Sequence, residues 1–274
     1  MTAKLEILYF TDPFCSWCWA SEPQLYRLRE RYRGQLTVRN VMGGLVEDMA
    51  RFYDAVNQIG STAQVAPHWR EVCERTGQPI DERVMEDIDD PHWSTWPACI
   101  AVKAAQLQGD EIGDKYLRRL RRAIMTERVN VSERDAQLRL AEDVAGLNVD
   151  QLQEALDNGA VMQAFVADRR LMLEYGATGF PTLLFLNHEG PDGPTGMLVN
   201  GYRSSETYDQ VVERVAPGLQ AQTPRPIPEM LAEYGPMTTR ELAEVVGKDA
   251  QALAAELSET MQELGLRRIE VPHG

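Results

Sequence analysis

The stretch "FTDPFCSWCWASEP", residues 10–23, places Cys15 and Cys18 with two residues between them at the junction of two different patterns. Upstream, "KLEILYFTD" (4–12) is rich in β-branched and aromatic residues and predicts a strand that stops at the Asp12-Pro13 turn. Downstream, Ala20, Leu25, Leu28 and Tyr32 recur at helical spacing up to a stop at Gly34, and Pro23 inside this run predicts a kink or a weak first turn. "QLTVRNVM" (35–42) is a second strand leading to Gly43-Gly44, which completes a β-α-β unit of the kind found in parallel or mixed sheets.

A cysteine at the first turn of a helix meets free amide N–H groups and the positive end of the helix dipole. Such a position lowers a thiol pKa from about 8.5 to roughly 3.5–7.5. Cys15 is therefore expected to attack a disulfide, and Cys18, one turn deeper, to resolve the mixed disulfide. A metal site would need further ligands, and the chain has no second Cys-x-x-Cys and no closely spaced histidine pair; His68 and Cys73 are the nearest approach to one. Trp19 after Cys18 rules out c-type haem attachment, which requires histidine there. Inert packing of two thiols is the remaining alternative. The pattern favours a redox dithiol with no metal and no organic cofactor.

Residues 45–171 carry almost only helical signals. Leu117, Leu120 and Ile124 line one face of "DKYLRRLRRAIM", Ser132 with Asp135 has the form of a capping box, and Asp150 precedes another helix as its cap. The arginines of "YLRRLRRAIMTER" predict a solvated, salt-bridged face, and "MEDIDDPH" an acidic surface turn. Isolated Cys73 and Cys99 read as buried structural thiols, with Cys99 a secondary redox candidate. Strands return in "TLLFLN" (182–187) and "MLVNGY" (197–202), joined by the turn-rich "HEGPDGPT", and "SSETYDQVVERV" is a closing helix capped by Ser204 or Ser205. Pro217, Pro224, Pro226 and Pro228 mark a stiff linker, followed by a pattern of helix, turn, helix and strand over 237–271.

The chain of 274 residues has 43% apolar and 26% charged residues, an ordinary globular composition. No apolar run reaches the roughly 20 residues a membrane span needs, and the N-terminus lacks signal-peptide character, so a cytoplasmic location is expected. The net charge of −14 disfavours nucleic acid and anionic membranes as partners. The helix that would enter a DNA groove holds four acidic residues and no lysine or arginine between Asp249 and Leu264. That end of the chain reads as a docking or dimerisation module, and a homodimer is left open.

"FTDPFCSWCWASEP" together with "TGFPTLLF" and its hairpin resembles the DsbA-like branch of the thioredoxin superfamily. "CSWCW…EP", "MGGL" and "STWPACIAVKAA" resemble its FrnE-like cytoplasmic group, which is related to YjbH- or SpxH-like adaptors for regulated proteolysis. The likeness covers roughly residues 5–218. It implies an α/β thioredoxin-like fold (1–44 and 172–219) with a large α-helical insertion (45–171), while the proline-rich linker (220–228) and a winged-helix-like appendage (229–274) are read from the residues that follow. It further implies that Pro181 is a cis-proline beside the dithiol, that Phe180 shapes a substrate groove, that Ser16 and Trp17 tune and border the site, and that Trp96 lines it.

The position six residues before the first cysteine, where many relatives carry a buried carboxylate, is Tyr9, and Glu6 alternates to the other strand face. The expected activity is cytoplasmic dithiol–disulfide exchange with a protein or small-molecule thiol, linked to glutathione or a thioredoxin system. An adaptor with a redox-sensing dithiol and a glutathione-dependent isomerase or transferase are the alternatives.

Overall fold

The computed structural model describes residues 4–189 and 193–273. Its sheet is built on β1 (Leu5–Thr11), flanked by β2 (Leu36–Met42) on one side and, in order, β3 (Thr182–Asn187) and β4 (Thr195–Asn200) on the other. β1 runs parallel to β2 and antiparallel to β3, and β3 pairs antiparallel with β4. The β3–β4 turn includes residues 190–192, which lie outside the described residues. β1 is apolar nearly throughout because both of its faces are covered. Leu5, Ile7 and Tyr9 join the cluster that holds Cys15 and Cys18, whereas Leu8 and Phe10 join Val41, Ala177 and Leu184 on the opposite face.

The parallel pairing of β1 with β2 requires a crossover, supplied by α1 (Ser16–Ala20) and α2 (Glu22–Arg31). The single helix read from the sequence is thus two. Pro23 lies in the first turn of α2, where it has no N–H to donate and its ring would collide with a preceding carbonyl, so the chain breaks at Ser21.

After a 3₁₀ turn at Met49–Arg51 come α3 (Thr62–Thr76), α4 (Arg83–Asp87), α5 (Trp96–Gln106), α6 (Asp110–Thr126), α7 (Arg134–Ala141), α8 (Val149–Asp157) and α9 (Ala160–Glu174). The buried Ala98, Ala101, Ala104 and Ala105 give α5 small side chains within the helical cluster, where α6 and α9 pack against it. Leu117, Leu120 and Ile124 of α6 are buried as their spacing predicts. Its arginines divide. Arg119 and Arg122 pair with Glu127, whereas Arg118 and Arg121, three residues apart on the inward face, are buried and bond to Glu22. The expectation of a wholly solvated basic face is corrected at those two positions.

Two caps also differ from the sequence reading. α7 starts after Glu133 with no side-chain cap, because Ser132 is turned to Asn130, and α8 is capped by Asn148 rather than Asp150.

α10 (Ser205–Val215) closes the dithiol face of the sheet. The proline-rich stretch lies along the end of α2, with the Gln222 amide N–H donating to the Arg31 carbonyl at 2.8 Å. α11 (Ile227–Tyr234), α12 (Thr239–Val246) and α13 (Ala250–Thr260) follow. Met230, Leu242, Ala243, Val245 and Leu253 of this group pack with Tyr26 of α2 in one apolar cluster. The strand expected near Ile269–Val271 does not form: among the described residues the four-stranded sheet is remote in order from this segment, and no second strand adjoins it.

Candidate active site

The turn between β1 and α1 is held from below by Asp12, which is fully buried. Its carboxylate accepts hydrogen bonds from the Phe14 amide at 2.8 Å, the Leu45 amide at 2.7 Å, the Thr95 hydroxyl at 2.7 Å and the Cys99 thiol at 3.3 Å. One side chain thereby ties the end of β1 to the loop after β2 and to the start of α5. Burial raises its pKa in spite of these donors. Cys99 is occupied as a donor to this carboxylate.

Cys15 is the N-cap of α1, and its Sγ accepts from the Cys18 amide at 3.2 Å. It is 6% exposed, and Cys18 is wholly buried. The local geometry is the one the spacing demands, but the charge distribution differs from the sequence expectation. Burial pushes the Cys15 thiol well up, reinforced by its hydrogen bond to Cys18 and by the Cys18 charge. Burial acts on Cys18 as well, yet the Cys15 thiol, the Arg121 guanidinium and the Thr11 hydroxyl outweigh it and hold Cys18 below the ordinary thiol value. Of the two thiols, Cys18 is thus the one favoured to ionise and Cys15 the one favoured to keep its proton. Helix-start effects act on a sulfur that is almost out of water, and desolvation wins.

Tyr9, in place of the strand carboxylate, donates its hydroxyl to the Cys18 carbonyl at 3.1 Å. Against it lies Arg121, 1% exposed, with its guanidinium carbon 5.5 Å from the Tyr9 ring centre. Arg121 Nη1 donates to Glu22 at 2.5 Å; Nη2 donates to the Thr11 hydroxyl and, at 3.4 Å, to the Asp12 carbonyl. None of Thr11, Asp12, Glu22 and Arg121 was singled out from sequence. The arginines were visible only as part of a basic stripe, and their burial depends on which helix face meets the sheet.

Trp17 is half-buried and packs against both the dithiol cluster and the helical cluster. Its ring faces Tyr202 at 5.7 Å, His68 at 6.3 Å and the Arg75 guanidinium at 5.0 Å. Burial lowers the His68 pKa. Ser16 is buried. The Phe180–Pro181 peptide is cis, and Phe180 packs against the dithiol cluster. Gly43 lies directly under Phe180: a Cβ there would come within 1.9 Å of the ring. Trp96 instead belongs to the helical cluster, edge-on to Phe165 at 5.2 Å and stacked under Arg169 at 4.4 Å. The structure groups Cys15, Cys18, Trp17 and Phe180 in one cluster and sets Trp96 in the next. Among the described residues no group of three or more histidine, cysteine or acidic side chains is placed to hold a metal.

A four-stranded sheet with a Cys-x-x-Cys pair at the first helix defines a thioredoxin-fold protein with DsbA-like architecture. The thioredoxin family model matches residues 8–210, and the chain belongs to that family. Among curated proteins it is similar to the ClpXP adapter protein SpxH of Bacillus subtilis, at 26% identity over 98% of this chain and 87% of that one. It is likewise similar to SpxH of Halalkalibacterium halodurans, at 28% identity with the same coverage. Among solved structures it resembles a putative protein disulfide isomerase from Nitrosomonas europaea, with 26% identity, a TM-score of 0.62, and coverage of 77% of this chain and 97% of the other. It also resembles the cytosolic disulfide reductase DsbM from Pseudomonas aeruginosa, with 26% identity, a TM-score of 0.55, and coverage of 77% and 93%. Among the described residues no helix is long and apolar enough to cross a membrane.

Proposed function

We propose that this chain is a cytoplasmic thiol–disulfide oxidoreductase whose reacting groups are Cys15 and Cys18. The observation that carries the reading is the dithiol itself: the slightly exposed N-cap sulfur of Cys15 accepts from the backbone amide of the fully buried Cys18 one turn on. As Cys15 Sγ attacks a substrate disulfide, it passes its proton to the Cys18 sulfur, and the substrate S–S bond breaks to release one thiolate. That thiolate leaves as a thiol with the proton from Cys18. Cys18 then attacks Cys15 Sγ, closing the protein disulfide and releasing the second substrate sulfur as a thiolate. The substrate is reduced by two electrons and the dithiol oxidised by two. Glutathione or a thioredoxin-type dithiol would return the protein to the reduced state. Phe180, Pro181 and Trp17 are assigned to the substrate groove, Ser16 to the tuning of the pair, and Trp96 to its support.

The experiment is exchange with a fluorescent mixed-disulfide peptide, comparing wild type with C15A across pH. Fast exchange abolished by the substitution supports the reading; exchange no faster than that of a free thiol overturns it.

A second reading is supported by one observation. The likeness to proteins named ClpXP adapters extends over 98% of this chain, appendage included, whereas the disulfide reductase likeness covers 77%. In that reading the fold presents a client to ClpXP, and the dithiol reports redox state. ClpXP turnover of a client that this chain accelerates equally well as C15A/C18A would favour it.

A further inference from the structure

The negative charge of the reduced dithiol needs a counter-charge, and the strand position where many thioredoxin-fold proteins hold a carboxylate is Tyr9 here. The groups facing Arg121 show how the gap is filled. From β1 come Tyr9 and the Thr11 hydroxyl, from the following turn the Asp12 carbonyl, from α2 the Glu22 carboxylate, and from its own helix Arg118. Glu22 takes one edge of the guanidinium through Nη1, and the other edge, Nη2, meets only uncharged oxygens. That second edge lies at the cysteine turn: the Asp12 carbonyl it approaches also accepts from the Cys15 amide at 3.2 Å. Arg118 does not compete for Glu22 on equal terms, because it is matched by both oxygens of Glu241 at 2.7 Å and reaches Glu22 only at 3.4 Å. One edge of a buried guanidinium thus carries no carboxylate and lies at the cysteine turn, in a setting where Coulomb interactions are several times stronger than in water.

We propose that Arg121, brought in by α6 of the helical block, is the positioning cation of the dithiol: its edge free of carboxylate holds the negative charge of the reduced Cys15–Cys18 pair and so favours dithiol over disulfide. It acts through the charge on the sulfurs and touches no substrate. This rests on the oxidoreductase reading for its consequence, but the electrostatics can be read without turnover. The opposing charges are the Asp12 carboxylate, which is engaged by four donors of its own, and Glu22, which is already paired.

The test is ultraviolet thiolate absorbance of reduced minus oxidised protein across pH, in which Cys73 and Cys99 cancel, together with the equilibrium against glutathione. R121Q should move thiolate formation up by about one pH unit and the equilibrium about tenfold toward the disulfide, equivalent to about 30 mV. R121K should retain most of the wild-type behaviour, and R119Q, whose guanidinium pairs with Glu127 and Asp143, all of it. A folded R121Q with unchanged titration and equilibrium overturns the proposal. Should R121Q fail to fold, E22Q decides: removing the competing carboxylate must shift both readouts in the opposite direction, and no shift there also overturns it. A wild-type dithiol that titrates as described but exchanges with no peptide removes the oxidoreductase reading alone, and the R121Q and E22Q shifts still decide the role of Arg121.

Discussion

The guanidinium of Arg118 and the carboxylate of Glu241 meet through two hydrogen bonds of 2.7 Å, joining α6 of the helical block to α12 of the C-terminal appendage. Glu241 is wholly buried, also closes a capping box with Thr238, and accepts from the Gln78 amide at 2.8 Å. Two ionised groups taken out of water tolerate each other only as a pair. E241Q should therefore cost about 3–5 kcal/mol of stability, concentrated in the appendage. Hydrogen exchange over α11 to α13, together with denaturant unfolding, measures it; protection unchanged from wild type would mean that the apolar cluster around Tyr26 alone holds the appendage.

C15A should reduce peptide-disulfide exchange to background, while C18A should still attack once and accumulate the mixed disulfide, detectable by mass spectrometry. Because Cys18 is held below the ordinary thiol range, wild-type exchange should persist at pH values where a free thiol has lost its thiolate. An exchange rate that follows a simple thiol titration would contradict the shared-proton arrangement.

Glu30 anchors the proline-rich stretch through Arg225 at 2.6 Å and the Tyr234 hydroxyl at 2.8 Å. Burial opposes its ionisation, but the hydrogen bonds from Arg225 and Tyr234 win and lower its pKa from 4.5 to about 2. A folded-state pKa below the unfolded one means that its stabilisation is complete above pH 4.5 and is lost as pH falls toward about 2. E30Q should lose about 1.5–3 kcal/mol at neutral pH and show a flatter stability profile through that acid window. Equal slopes for E30Q and wild type there would refute this assignment.

G43A would set a methyl group against the Phe180 ring, which must then move. The expected cost is about 1–3 kcal/mol in stability. If Phe180 shapes the groove, KM for a peptide disulfide should rise more than kcat falls. Melting temperature and steady-state kinetics separate the two effects.

The strand, the Asp12-Pro13 turn, the helix bearing Cys15 and Cys18, and the β3–β4 pair were legible because each rests on contacts within a few residues: alternation, turn chemistry and helical spacing. The break at Ser21 was half legible, since Pro23 announces a disruption but not whether the helix kinks or restarts. The capping box that does form, at Thr238 and Glu241, was not read from the sequence, and the buried partner of that glutamate, Arg118, lies 123 residues away.

By itself, then, the sequence determined the family, the sheet and the placement of two thiols at a helix start, all consequences of short-range backbone and side-chain preferences. Only the tertiary structure decided that both thiols are nearly out of water, that ionisation is favoured at Cys18 over Cys15, and that Arg118 and Arg121 turn inward while Arg119 and Arg122 pair with Glu127. Desolvation and charge pairing depend on what lies within a few ångströms in space, and the partners of these arginines come from β1 and α2 for Arg121 and from α12 for Arg118, segments that the chain order keeps far from α6.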